Sequence, residues 1–153
     1  MNQISNQFNN IIKRVPSTLD HNNASNLSAN NFNILHLNIQ SINSKTLDLE
    51  LLLNELNSNI DVICVDEHWL NASQISSVHL QNYIIANYYC RLRVKHGGTM
   101  IFVKDNIKIK PLNMANYLNE DQIFEGCVIQ VYDVNIIIIA VCRSPLGNFD
   151  IFL

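Results

Sequence analysis

Charge is scarce in this chain. Asp, Glu, Lys and Arg together make up 15% of its 153 residues, a low share for a free-standing soluble domain. Their formal balance is -3, which excludes a global pull toward nucleic acid, so any such attraction has to be local. Long apolar runs are missing too. The longest, Val134 to Cys142, is interrupted by Asn135 and falls far short of a membrane span. No basic start followed by an apolar stretch opens the chain, which argues against a secretory signal and for the nucleus or cytoplasm. The four cysteines, Cys64, Cys90, Cys127 and Cys142, form no C-x-x-C pair. They read as buried free thiols in a reducing compartment rather than as a metal cluster. A phosphate-cradling glycine loop, a nucleophile elbow, zinc-ligand spacing and internal repeats are all absent.

What is present suits one domain. Hydrophobic residues are 48% of the chain, enough for a sizeable core. Residues 1–31 are rich in Asn, Ser and Gln and read as a disordered leader, with a short helix possible from Gln7 to Arg14 before Pro16. Phe32 to Asn38 reads as a strand. From Asn43 to Asn57 the period changes: Leu47, Leu51, Leu52 and Leu56 recur at helical spacing, with Asn43 or Ser44 available as a cap and Asn57 to Asn59 as a stop. Val62 to Val65 is a short run suited to a buried strand. Strand, helix, strand predicts a βαβ unit with parallel strands. Tyr83 to Tyr89 and Thr99 to Val103 read as further strands, with Gly97-Gly98 between them permitting a tight turn. Ile107 to Lys110 alternates until Pro111. Phe124 to Tyr132 and Asn135 to Val141 read as a hairpin around Asp133-Val134, although Val is a poor turn residue. The apolar ending Ile151-Phe152-Leu153 reads as a truncated domain.

Chemistry concentrates in Asp66-Glu67-His68-Trp69. If the two strands of the βαβ unit are neighbours, Asn38 and Glu67 emerge at the same edge of the sheet, where open α/β sheets bind ligands. An amide oxygen and a carboxylate there suit a hard cation such as magnesium, which takes one or two protein oxygens and keeps water and phosphate in its other positions. Strand alternation directs Asp66 to the opposite face from Glu67. A lone His68 reads as a surface polar group before it reads as a base or ligand. Trp69 reads as packing the loop onto the core rather than as stacking on a base. Arg91, Arg93, Lys95, Lys104, Lys108 and Lys110 form a local basic stripe able to contact phosphates. Lys108-Ile109-Lys110 fits a protected edge strand equally well.

LHLNIQSINSK, DVICVDEHWL, KHGGTMIFVKD and IIIIAVCRSPLGNFDIFL, in that order, resemble the first half of the endonuclease/exonuclease/phosphatase domain. The likeness is to the version found in LINE (jockey-like) non-LTR retrotransposons, and it runs from about Phe32 to the last residue. The resemblance implies an α/β fold, a partial and truncated two-sheet sandwich over residues 32–153. It implies magnesium- or manganese-dependent phosphodiester hydrolysis on a DNA duplex, with no membrane and no small-molecule cofactor. Glu67 would be the metal-binding glutamate, Asn38 would orient metal and scissile phosphate, and Gln40 would lie near the metal. Gln40, Arg91, Arg93, Lys95 and Arg143 would contact the nucleic acid. Gly97 and Gly98 match the family's glycine pair. Arg143 and Pro145 match its tyrosine-arginine-proline-proline motif, with Cys142 in place of the tyrosine and Ser144 in place of the first proline. Asp66 and His68 stand where threonine is common. The aspartate-asparagine and C-terminal aspartate-histidine motifs are absent, so the expected activity is a DNA-nicking endonuclease inactivated by truncation. The alternatives are a non-catalytic or nucleic-acid-binding remnant and a small-phosphate phosphoesterase.

Overall fold

The computed structural model describes residues 11–15, 32–56, 60–94, 96–113 and 118–144. Its elements are β1 (Ile11–Val15), β2 (Phe32–Asn38), α1 (Ile42–Glu55), β3 (Val62–Asp66), a 3-10 helix (Ala72–Ser77), β4 (Tyr83–Tyr89), β5 (Thr99–Lys104), β6 (Ile109–Leu112), β7 (Glu125–Val131) and β8 (Ile136–Cys142). They build a mixed α/β structure of two sheets. One sheet has the order β1-β2-β3-β5-β4 and the other β6-β7-β8.

The βαβ unit forms as the period change predicts. β2 and β3 are parallel neighbours, with Leu37 opposite Val65 and Asn38 opposite Asp66. The remaining described pairs are antiparallel. Alternation then sorts the side chains into two cores. Leu35, Leu37, Ile63, Val65, Met100 and Phe102 pack with Leu49, Leu52 and Leu53 of α1. Phe32, Val62, Cys64, Ile101 and Val103 pack on Cys127, Ile129, Val131, Ile138 and Ala140 of the second sheet. The order of layers is helix, five-stranded sheet, three-stranded sheet. β3 lies centrally, with all five of its residues buried, which is why its sequence shows a run rather than an alternation.

Two local expectations are corrected. Ile11–Val15, inside the stretch read as leader and helix, is a strand paired antiparallel with β2; the rest of that stretch lies outside the described residues. Pairing with an open edge supplies hydrogen bonds that local composition does not reveal. α1 starts at Ile42 behind Ser41, without a side-chain cap. The amides of Ser41 and Ile42 donate instead to the carbonyls of Glu67 and His68, so the chain after β3 does the work that Asn43 or Ser44 was expected to do. The polar segment after Trp69 contains a 3-10 helix opened by a capping box between Asn71 and Gln74.

The β7–β8 hairpin is present, with Val131 opposite Ile136. Its turn runs through Asn135 at φ 49°, so Asn takes the left-handed position that Val134 would resist. Pro111 sits within β6, opposite Ile129; β6 is an edge strand, where a missing N–H is tolerated. Along β8, Ile137, Ile139 and Val141 point outward at 59%, 58% and 37% exposure.

Candidate functional site

β3 ends at Asp66, and the chain turns sharply there. Glu67 and Trp69 take left-handed backbone conformations, φ 59° and 61°, which are costly for residues with a side chain. The turn is stitched on both sides. The amides of Glu67 and Trp69 donate to the carbonyls of Gly98 and Gly97, and the amide of Ile39 donates to the carbonyl of Asp66. The ends of β2, β3 and β5 therefore meet at one edge, and Asn38 and Glu67 both emerge there.

The left-handed turn cancels the strand alternation that was expected to separate Asp66 from Glu67. Asp66 shares the face of Val62 and Cys64, toward the second sheet. Glu67 reaches the same side: Cys142 Sγ, at the end of β8, lies 3.8 Å from Glu67 Oε1. Burial raises the Cys142 thiol to about 12, and the nearby charges of Asp66, Glu67 and Glu125 push in the same direction. Two adjacent carboxylates thus converge on the gap between the sheets.

Their hydrogen bonding is lopsided. Glu67 Oε2 accepts from Trp69 Nε1 at 2.7 Å and from the Gly97 amide at 3.1 Å, whereas among the described residues Oε1 has only the thiol. Asp66 is 6% exposed. Its Oδ2 is 2.7 Å from His36 Nε2, and its Oδ1 is buried with no partner among the described residues. A buried carboxylate oxygen without a donor is unfavourable by itself and is relieved by a cation. Asn38, exposed, stands opposite Asp66 on the neighbouring strand. Among the described residues no three His, Cys, Asp or Glu side chains assemble as a ligand set. The donor set here suits a hard cation that takes few protein oxygens and fills its sphere with water.

His68 is not at the surface. It is fully buried, and both ring nitrogens are engaged: the Leu70 amide donates to Nδ1 at 3.0 Å, and Nε2 lies 2.8 Å from the Tyr89 carbonyl. An acceptor at Nδ1 and a donor at Nε2 make a neutral imidazole. Burial pushes it below its ordinary value, outweighing the Tyr89 carbonyl and the Glu67 and Asp66 charges. Gly98 makes room for it, because a Cβ there would stand 2.4 Å from His68 Nε2. His68 is a structural pin beneath the turn.

The basic stripe divides. Arg91 is buried against Glu125, its Nε on Oε1 at 2.5 Å. Glu125 is fully buried and also accepts from the amides of Gln122 and Gly98. Arg93 is exposed, and its loop is held by Asp121, which accepts from the amides of Leu92 and Arg93 and from Tyr89 Oη. Burial alone would raise Asp121, but those hydrogen bonds and the Arg91 charge bring it below its ordinary value. Lys110 belongs to the β6 edge and Lys108 directly precedes that strand. Gln40 is exposed at φ 48° in the turn between β2 and α1. Arg143 is half-buried just after β8. Lys95 and Pro145 lie outside the described residues.

Two participants escaped the sequence reading. His36 precedes Asn38 by two positions on β2 and so shares its face, a signal that the strand assignment alone carried. Glu125 is 34 residues from Arg91 in sequence, and nothing local connects them. The four cysteines are buried and unpaired, as expected. No protein-family model matches the chain, and no curated protein shows significant similarity to it.

Proposed function

We propose that this chain carries the cation-binding site of a metal-dependent phosphodiesterase of the endonuclease/exonuclease/phosphatase type, acting on DNA. The observation that carries the reading is the convergence of Glu67 and Asp66 on one gap, each with a carboxylate oxygen that, among the described residues, no N–H or O–H occupies. The order of strands, with Asn38 beside Asp66, supports it further. Glu67 and Asn38 would hold a magnesium or manganese ion, with Asp66 adding negative charge behind them. Such an ion would polarise a phosphodiester and neutralise the charge that develops on it. Trp69 and Gly97 hold the Glu67 carboxylate in one orientation, which limits the reorganisation needed on binding.

The same chain is proposed to stop short of hydrolysis. A general base must stand within hydrogen-bond reach of the attacking water. His68, the imidazole next in sequence to Glu67, is buried with both nitrogens engaged. Two measurements test the reading. Manganese titration followed by electron paramagnetic resonance should detect a site that Glu67→Gln weakens at least tenfold; equal binding by both proteins overturns the cation assignment. A supercoiled-plasmid assay with magnesium should give no nicking above background. Nicking that disappears in Glu67→Ala would instead establish a complete enzyme.

A further inference from the structure

A crevice of about 460 Å³ opens beside the carboxylates, lined by Ser41, Trp69, Gln74, Arg91, Arg93 and His96 among others. Its chemistry differs from that of the cation site. Trp69 is stacked on His96, ring centroids 4.1 Å apart and planes 18° from parallel, yet the indole stays 36% exposed. A stacked aromatic pair partly open to solvent is a platform that a further flat ring can extend. Arg93 stands at the wall, on a loop that Asp121 holds through two backbone amides. Arg91 is fixed by Glu125. The crevice is therefore preorganised, which reduces the ordering cost of binding.

The indole joins the two regions. Its Nε1 donates to Glu67 Oε2, so its edge touches the acid while its side lines the crevice. We propose that this crevice takes the base of an unpaired nucleotide in a single-stranded stretch of polynucleotide. The base continues the Trp69–His96 stack, Arg93 contacts the adjoining phosphate, and the neighbouring phosphodiester is left facing Glu67. Stacking is available to any base, so sequence preference at this position is weak, whereas a paired duplex hides its base faces and binds less well. The inference rests on the phosphodiesterase reading for its substrate class and deepens it by specifying strandedness.

Trp69 is the sole tryptophan, so with metal chelated its emission reports on the crevice. Titration of the full chain with short oligothymidylate, in EDTA and low salt, should quench that emission saturably. A duplex of matched length should quench far less at equal salt. Arg93→Gln and His96→Ala should each weaken binding about tenfold, in the range that loss of one stacked base or phosphate contact produces. His96→Phe, which keeps a flat ring, should retain most of it, and thermal melts identify any variant that does not fold. Binding without quenching, equal quenching by duplex, or parental affinity in both weakened variants overturns the proposal. Manganese titration of the same protein separates it from the cation reading: quenching without a Glu67-dependent manganese site sinks that reading and leaves the crevice standing, while the converse sinks the crevice.

Discussion

The Leu70 amide donates to Nδ1 of His68, and this contact between residues two apart determines which proton the imidazole keeps. The ring folds neutral because the position that would have to gain a proton is already an acceptor.

Stability should therefore fall on mild acidification. The unfolded imidazole titrates at about 6.5, and burial lowers the folded value. Below about 6.5 the unfolded chain binds a proton that the folded chain refuses, so unfolding becomes progressively easier as pH drops toward the folded value. Unfolding free energies from urea titrations should decline between pH 7.5 and pH 5.5, with a limiting slope of about 1.4 kcal/mol per pH unit for one proton. His68→Gln should be less stable at pH 7.5 but flatter over that window. An unchanged slope in the variant would remove His68 as the cause. Asp121, held below its ordinary value, contributes the same sign of change only in the more acidic carboxylate range.

Gly98→Ala should be severe. The position has φ +83°, and an added Cβ would meet His68 Nε2 at 2.4 Å and the Tyr89 carbonyl at 2.8 Å. Left-handed strain and overpacking together should cost about 2–4 kcal/mol in chemical denaturation. Gly126→Ala is the control: its nearest neighbour is a Phe124 ring atom at 3.0 Å, a side chain that can give way. A smaller loss at Gly98 than at Gly126 would contradict the packing described beneath the turn.

The native thiols should be silent. Cys64, Cys127 and Cys142 are raised to about 12 and Cys90 to about 11, in each case chiefly by burial. Thiolate is the reactive form, so a disulfide reagent at pH 8 should modify none of the four in the folded protein and all four in denaturant. Fast labelling of Cys142 in the native state would mean that the gap beside Glu67 opens to reagents.

The βαβ unit was legible in the sequence, because period and order are local properties. The switch from run to helical spacing and back located β2, α1 and β3, and parallel pairing then brought Asn38 and Glu67 to one edge. What it could not carry depends on backbone handedness and distant pairing. The left-handed Glu67 moves its carboxylate to the side of Asp66, and no composition rule flags that. The buried Arg91–Glu125 pair turns an apparent phosphate contact into a strut, and only the meeting of β7 with the Gly97-Gly98 turn reveals it. His68 looked like a surface group because nothing in its neighbourhood announces a glycine-shaped recess for its ring.

The two borders of the three-stranded sheet are unlike each other. β6 carries Pro111, Lys110 and the adjacent Lys108, features that discourage an incoming strand. β8 reads Ile-Ile-Ile-Ile-Ala-Val-Cys and, among the described residues, pairs only with β7. One margin is sealed and the other is receptive. Any enlargement of this layer, whether by more backbone or by unwanted self-association, has a single direction in which to proceed.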